Sequence, residues 1–232
     1  MGHRVQYIRD VFQVFEDLIF APNEDAAIVA KELLQARPPI HISEFGIGGL
    51  VLRSEKLILV PDDLREEVET ISKLQERGFC IDFLPVPPLT QDSGILVRRM
   101  NFSKHLDMEI NIVYSQGRLV VVANEDYYKE RKDRVDKILH NYQGQLVIIS
   151  DPREQTLLRA VNFVELPDGR VIIPENCNQA ISALKNVLGK PNVLGENVDF
   201  SKSKSRANSY VNGGPITYYL HGGLRCLTNS VY

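Results

Sequence analysis

Two side chains of this sequence have the chemistry of a nucleophile and its acid–base partner. Cys226 lies in the run GGLRCLT over residues 222–228, and His105 opens the run HLDMEINIV over 105–113. A cysteine attacks as its thiolate, and a histidine oriented by a carboxylate can remove the thiol proton. The glycines before Cys226 let the backbone approach a substrate closely, and Arg225 adds positive charge beside the thiol. The two runs together predict nucleophilic catalysis.

Further polar residues stand near the starts of successive segments, and each also has an ordinary structural explanation. Asp10 could be a carboxylate at a strand edge, Glu44 a solvated loop residue, and Asn162 a structural hydrogen-bonding group. His105 could likewise be a hydrogen-bonded histidine without a catalytic role. Only the combination with Cys226 favours a site, since a ring of segments would gather these side chains around one axis.

The other two cysteines indicate neither a disulfide framework nor a metal site. The chain has three cysteines, an odd number, and none are spaced as CxxC. Cys80 and Cys177 are therefore predicted to pack as small apolar residues. We expect no metal and no organic cofactor.

A unit of two β-strands, a helix and often a further strand recurs four times along the chain, which predicts an α/β fold. Turns are predicted near 54–56, at 115–117 and at 167–169, and the last two have the residues typical of hairpin turns. The predicted hairpins cover residues 11–21, 49–60, 108–123 and 160–173. The predicted helices cover 24–36, 62–77, 127–142 and 178–188, and linking strands cover 80–86 and 145–150.

A fifth unit begins at residue 224 and contains only half of the pattern. The stretch 195–221 before it is rich in Ser, Lys, Asn and Gly, so it is predicted to be a long loop beside the active site. We treat 1–232 as one domain. An incomplete fifth unit would leave a strand edge unpaired, and we therefore expect a homo-oligomer.

Composition excludes several classes of function. The sequence is 44% apolar and 25% charged, with a net charge of −3 and no clustering of its 27 basic residues, so nucleic-acid binding is not expected. No stretch approaches about 18 consecutive apolar residues, and the first residues lack the apolar core of a signal peptide. We expect a cytoplasmic protein without a membrane span.

The motifs resemble those of the guanidino-group-modifying superfamily, which includes arginine deiminases, arginine dihydrolases and glycine amidinotransferases. HLDMEINIV resembles the HxD strand of that family, and GGLRCLT resembles its GGxxCxT nucleophile strand. RDVF over residues 9–12 is similar to the RDPF strand, and AVNF over 160–163 to the strand two before the nucleophile. The resemblance implies the pentein fold, an α/β propeller of five ββαβ units around a pseudo-fivefold axis.

The resemblance also implies roles for individual residues. Cys226 would attack the guanidinium carbon and form a covalent amidino-cysteine, with His105 as general acid and then general base. Asp10 and Asp107 would hold the guanidinium nitrogens. The implied function is a cysteine-dependent hydrolase of arginine metabolism that acts on a small guanidino substrate. An amidinotransferase to an amine, or a non-catalytic pentein that binds a ligand or a protein, are the alternatives.

One motif of the family is altered here. An EGGD-like motif supplies the carboxylate that orients the histidine, and its counterpart in this sequence is IGGL over residues 47–50. Glu44, three residues earlier, is our candidate for the missing acid of the catalytic triad. Asn162 and Arg225 complete the predicted site as substrate-binding residues.

Overall fold

The structure is a computed structural model of the chain. Asp10, Arg225 and Cys226 lie outside the residues that it describes. For 206–211 and 214–219 it describes the backbone. The described residues are 12–35, 39–85, 105–115, 117–156, 159–166, 168–196, 206–211 and 214–219.

Four three-stranded sheets share one topology. In each sheet the first two strands form an antiparallel hairpin, and the third pairs parallel with the second after a helix. The fold is thus mixed α/β, built of small sheets, and the predicted ββαβ units are confirmed. The sheets are β1 Gln13–Phe15, β2 Leu18–Ala21 and β3 Ile40–Ile42; β4 Leu52–Ser54, β5 Leu57–Pro61 and β6 Cys80–Leu84; β7 Ile110–Ser115, β8 Arg118–Asn124 and β9 Gln145–Ile149; β10 Val164–Glu165, β11 Val171–Pro174 and β12 Val193–Glu196.

Each unit also has a helix between its second and third strands. The first helix is capped by Asn23, whose Oδ1 accepts from Ala26 N at 2.9 Å, and the third is interrupted at Arg131 by a non-helical backbone conformation. A short additional helix precedes the fourth hairpin. The helices are α1 Glu24–Leu34, α2 Val68–Glu76, α3 Glu125–Asn141, α4 Pro152–Thr156 and α5 Asn178–Leu188.

The stretch 195–221, predicted to be a loop, contains a β-hairpin instead. Strands β13 Arg206–Val211 and β14 Gly214–Tyr219 pair antiparallel, with Val211 opposite Gly214. Two residues separate the strands, and in the sequence these are Asn-Gly, the dipeptide typical of the tightest hairpin turns. That dipeptide, with the β-branched and aromatic residues on both sides, could have identified the hairpin.

The core lies between successive units because the central strands are buried on both faces. In β5, Leu57 and Leu59 pack toward the third unit, whereas Ile58 and Val60 pack toward the first. Strand side chains alternate between faces, so one strand contributes to two hydrophobic clusters. This explains why β5 reads as a continuous apolar run rather than an alternating one.

Hydrogen bonds also join different units along their first strands. Arg53 Nη1 on β4 donates to Val14 O on β1 at 3.0 Å. Glu165 Oε1 on β10 accepts from Tyr114 N on β7 at 3.1 Å and from the buried Ser54 Oγ on β4 at 2.8 Å. One carboxylate therefore ties the first strands of three units together.

Within the described part of the chain, none of the helices has the length and apolar character needed to cross a membrane. The same residues contain no group of three or more His, Cys, Asp or Glu side chains placed to hold a metal ion.

We expect Glu154→Ala to lower the free energy of unfolding by about 2–4 kcal/mol. Glu154 is 3% exposed, and its two carboxylate oxygens accept from Gln179 N at 2.6 Å and Ala180 N at 2.9 Å at the start of α5. Alanine would leave both amides without this acceptor. Urea unfolding measures the effect. Glu175→Ala, at an exposed carboxylate just before the same helix, is the control and should change stability by less than about 0.5 kcal/mol.

Candidate active site

The segment that carries His105 and Asp107 is a tight turn between two buried anchors. His105 precedes a 3-10 helix over Leu106–Met108, and β7 begins at Ile110. Leu106 and Ile110 are both fully buried in the core between the second and third units. Because both ends of the turn are held by packing, the half-buried His105 side chain projects from a fixed backbone.

Gly49 of the second unit lies directly against the His105 ring. A Cβ built on Gly49 would lie 2.2 Å from His105 Nδ1 and 2.6 Å from Cε1. No side chain fits between the two residues, so the glycine allows the backbone to support the ring. The IGGL run, assigned to the family's EGGD motif by sequence, is therefore placed beside the histidine.

Asp107 is buried and held by its backbone from both neighbouring units. Its side chain is 0% exposed. Its amide nitrogen donates to Gly49 O of the second unit at 3.3 Å, and its carbonyl accepts from Asn162 Nδ2 of the fourth at 3.0 Å. These bonds fix the position of a carboxylate in a site largely withdrawn from water.

Asn162 is itself fixed by a second asparagine. It is 0% exposed and ends a turn in which its amide nitrogen donates to Arg159 O at 2.9 Å. On either side of it, Val161 O and Phe163 O accept from Asn111 Nδ2 at 2.9 and 3.1 Å. His105 and Asp107 of the predicted HxD run thus lie with Asn162 at one junction of three units.

Glu44, the predicted orienting acid, lies at the surface, unlike the buried Asp107 and Asn162. Its side chain is exposed, and it begins a 3-10 helix over Glu44–Gly46. Its amide nitrogen donates to Glu67 Oε1 at 2.8 Å, and Glu67 Oε2 accepts from Ser43 Oγ at 2.5 Å and from Thr70 Oγ1 at 3.1 Å. Glu67 was missed by sequence reasoning because nothing in its local pattern distinguishes it from a solvated helix carboxylate. It fastens the turn from which residues 47–50 extend toward His105.

The two positions where the EGGD motif has acids are apolar here and belong to the core. Leu50 is 3% exposed, and Ile47 packs against the same cluster between the first and second units. Gly49 of the IGGL run therefore lies at the histidine, whereas the apolar residues at the two ends of the run pack in the core.

A second carboxylate that the sequence did not single out follows the turn. Glu109 Oε2 accepts from Asn124 Nδ2 at 2.9 Å, and the same nitrogen donates to Met108 O at 3.0 Å. Burial raises the pKa of Glu109, an effect that the Asn124 hydrogen bond and the positive charge of Arg159 oppose. The negative charges of Asp126 and Glu130 on α3 raise it further.

This shift predicts a pH dependence of stability. Where the native pKa of a carboxyl group is raised, the native state binds more protons than the unfolded state between the two pKa values. The free energy of unfolding therefore falls as pH rises from the unfolded-state pKa through the native-state pKa. We expect the free energy of unfolding of the native protein to decline relative to that of Glu109→Gln as pH rises above the ordinary Glu value of 4.5. Urea unfolding of both proteins across this range measures it; parallel curves would contradict the expectation.

The two described cysteines differ in their exposure to solvent. Cys177 is 0% exposed, as predicted, and burial raises the pKa of its thiol to about 12. Cys80, predicted to be packed, is exposed, because it is the first residue of β6, where the strand emerges from the turn after α2. Cys177 therefore lacks the environment of an activated thiolate.

Solved structures similar to this chain are enzymes of the pentein superfamily that modify guanidino groups. DDAH from Pseudomonas aeruginosa, as a mutant complexed with citrulline, matches with a TM-score of 0.57 and 12% identity over 84% of this chain and 69% of its own. A dimethylarginine dimethylaminohydrolase adduct with S-methyl-L-thiocitrulline matches with a TM-score of 0.58 and 13% identity over 95% and 74%.

An amidinotransferase of saxitoxin biosynthesis from Microseira wollei gives a TM-score of 0.53 and 17% identity, over 84% of this chain and 65% of its own. No family model and no curated protein matches the sequence. At identities of 12 to 17% the likeness concerns the fold. The resemblance in the motifs and the likeness in structure agree: the chain has a mixed α/β fold similar to that of the pentein enzymes that modify guanidino groups.

Proposed function

We propose that this protein is a cysteine-dependent enzyme that cleaves the guanidino group of arginine or a related compound. The observation that supports it most is the junction of His105, Asp107 and Gly49, which holds a histidine and a buried carboxylate at fixed positions within a fold of this kind. Hydrolysis is the reaction we propose. Transfer of the amidino group to an amine uses the same first step and is the nearest alternative.

The reaction would proceed in two stages. The Cys226 thiolate attacks the guanidinium carbon, the C–N bond to the leaving group breaks, and His105 gives its proton to the departing ammonia or amine. This leaves a covalent amidino-cysteine. His105 then takes a proton from water, the resulting hydroxide attacks the carbon, and the C–S bond breaks to regenerate the thiolate.

Substrate recognition would rest on carboxylates in a dry pocket. A planar guanidinium forms paired hydrogen bonds with a carboxylate, and these gain strength away from water. Asp107 is buried and Asp10 is our second candidate, whereas Arg225 would face the other end of the substrate. Because Asn162 Nδ2 donates to the Asp107 carbonyl, Asn162 would act on the substrate through Asp107.

We also propose that the four units and a fifth form a pentein propeller within one domain, 1–232. The hydrogen bonds from β4 to β1 and from β7 to β10 support a ring of units in chain order. Hairpin β13–β14 would belong to the fifth unit and border the active site. An unpaired edge there would be covered by a second copy of the chain.

The loss of the EGGD acids favours a second candidate, a pentein that binds a guanidino ligand without turning it over. Ile47 and Leu50 pack in the core instead of supplying carboxylates, so the histidine would need another orienting acid. Glu44 could supply it only by reaching inward from its exposed position. A reactive thiol protected by substrate distinguishes an enzyme from such a binding protein.

Two measurements test the proposal. Incubation with arginine, with and without glycine or lysine, followed by assays for ammonia, citrulline, ornithine and guanidino products, separates hydrolysis from transfer. Iodoacetamide labelling at neutral pH, in a Cys80→Ser background that removes the exposed thiol, should modify Cys226 and spare Cys177. Arginine should slow the labelling. No product and unprotected labelling of Cys226 at the rate of an ordinary thiol would contradict the proposal.

A further inference from the structure

Glu109 and Asn124 form a polar network directly behind the turn that carries His105 and Asp107. Asn124 Nδ2 bridges Met108 O and Glu109 Oε2, at 3.0 and 2.9 Å, and Asn124 N donates to Glu109 O at 2.8 Å. Asn124 is 4% exposed and is the last residue of β8, so it belongs to the rigid central strand of the third sheet. The turn is thus fastened to the sheet through Asn124.

Glu109 also interacts electrostatically with Arg159, which belongs to the turn that carries Asn162. The charge of Arg159 lies close enough to lower the Glu109 pKa against the effect of burial. Arg159 has a φ of 52°, a left-handed conformation that disfavours a side chain, and its carbonyl accepts from Asn162 N. Asn162 in turn donates to the Asp107 carbonyl, so Arg159 connects the charge of Glu109 to the contact that holds Asp107 from the fourth unit.

We propose that Glu109 is a positioning residue: by accepting from Asn124 it orients the amide that holds Met108 O, and so fixes the turn between His105 and Asp107. A hydrogen bond to a carboxylate is stronger than one between neutral groups, and here it is shielded from water. Without the carboxylate, Asn124 Nδ2 could rotate away from Met108 O. The kinetic consequence rests on the proposed function, whereas the structural consequence does not.

The test compares three variants in the full chain. Glu109→Ala removes the acceptor, Glu109→Gln keeps an acceptor oxygen, and Asn124→Asp replaces the donor by a carboxylate that repels Glu109. Hydrogen exchange of the Asp107 amide, which donates to Gly49 O, reports the position of the turn without substrate. Turnover of a guanidino substrate is measured on the same proteins. Glu76→Ala, at an exposed carboxylate on α2, is the control.

We expect Asp107 exchange to become about tenfold faster in Glu109→Ala and Asn124→Asp, and to stay within about threefold in Glu109→Gln and in the control. The value of kcat/KM should fall in Glu109→Ala and Asn124→Asp and should stay near that of the unmodified protein in Glu109→Gln. A general loss of stability would not produce this match between exchange and turnover. Unchanged exchange in both disruptive variants, or no recovery in Glu109→Gln, would overturn the proposal. Altered exchange without turnover in the unmodified protein would support positioning and overturn the proposed function alone.

Discussion

Gly49→Ala is expected to reduce guanidino turnover by about 10²-fold while the protein stays folded. The added methyl group would lie 2.2 Å from His105 Nδ1, far inside van der Waals contact, so the ring must move. The backbone of Gly49 cannot easily move away from the ring, because Gly49 O accepts a hydrogen bond from the amide of the buried Asp107. In the proposed mechanism a displaced His105 ring is no longer aligned with the Cys226 nucleophile and the leaving group, so kcat should fall more than KM rises.

A matched glycine provides the control for this experiment. A Cβ at Gly195 would meet only ordinary contacts, with 3.5 Å to the nearest atom, in the parallel strand β12. Gly195→Ala should leave kcat within about twofold and should not lower stability by more than about 1 kcal/mol. Equal activities in Gly49→Ala and Gly195→Ala would show that the His105 ring has no part in catalysis.

Cys226→Ala is expected to lower turnover by at least about 10³-fold, because it removes the atom that forms the covalent bond in the proposed mechanism. Cys80→Ala and Cys177→Ala should leave activity within a few-fold. Cys80 is an exposed thiol on an outer strand, and Cys177 is a buried thiol whose pKa of about 12 keeps it protonated.

Assays are run where circular dichroism shows each cysteine variant to be folded, since alanine at the buried Cys177 costs some packing. Comparable loss of activity in all three variants at equal stability would contradict a single nucleophile.

The repeating units could be predicted from sequence because their pattern is local. Helix α5 begins and ends at the residues predicted, and the hairpin turn at Glu55 lies where polar residues interrupt two apolar runs. Strand β3 could not be predicted, since its three residues Ile40–Ile42 are too few to show a period and depend on pairing with β2. Short strands are determined by the sheet that receives them rather than by their own propensity.

The motif residues of the candidate site could be proposed from sequence, whereas the residues that support them could not. The types and spacing of His105 and Asp107 indicate their chemistry, and the structure places them beside Gly49 and Asn162. Glu67 acts through contacts with residues more than 20 positions away, and Asn124 contacts residues 15 and 16 positions earlier, which no local pattern contains. Such contacts become visible only when the units are packed together.

The measurement that tests the central claim most directly is the mass of the protein after rapid acid quenching during reaction with arginine. Peptide mapping should place a covalent adduct from the substrate on Cys226, and on neither Cys80 nor Cys177. Cys226→Ala should give no adduct, and His105→Gln should slow both its formation and its decay. Turnover of arginine by a protein that carries no adduct on Cys226 at any time of quenching would contradict the account.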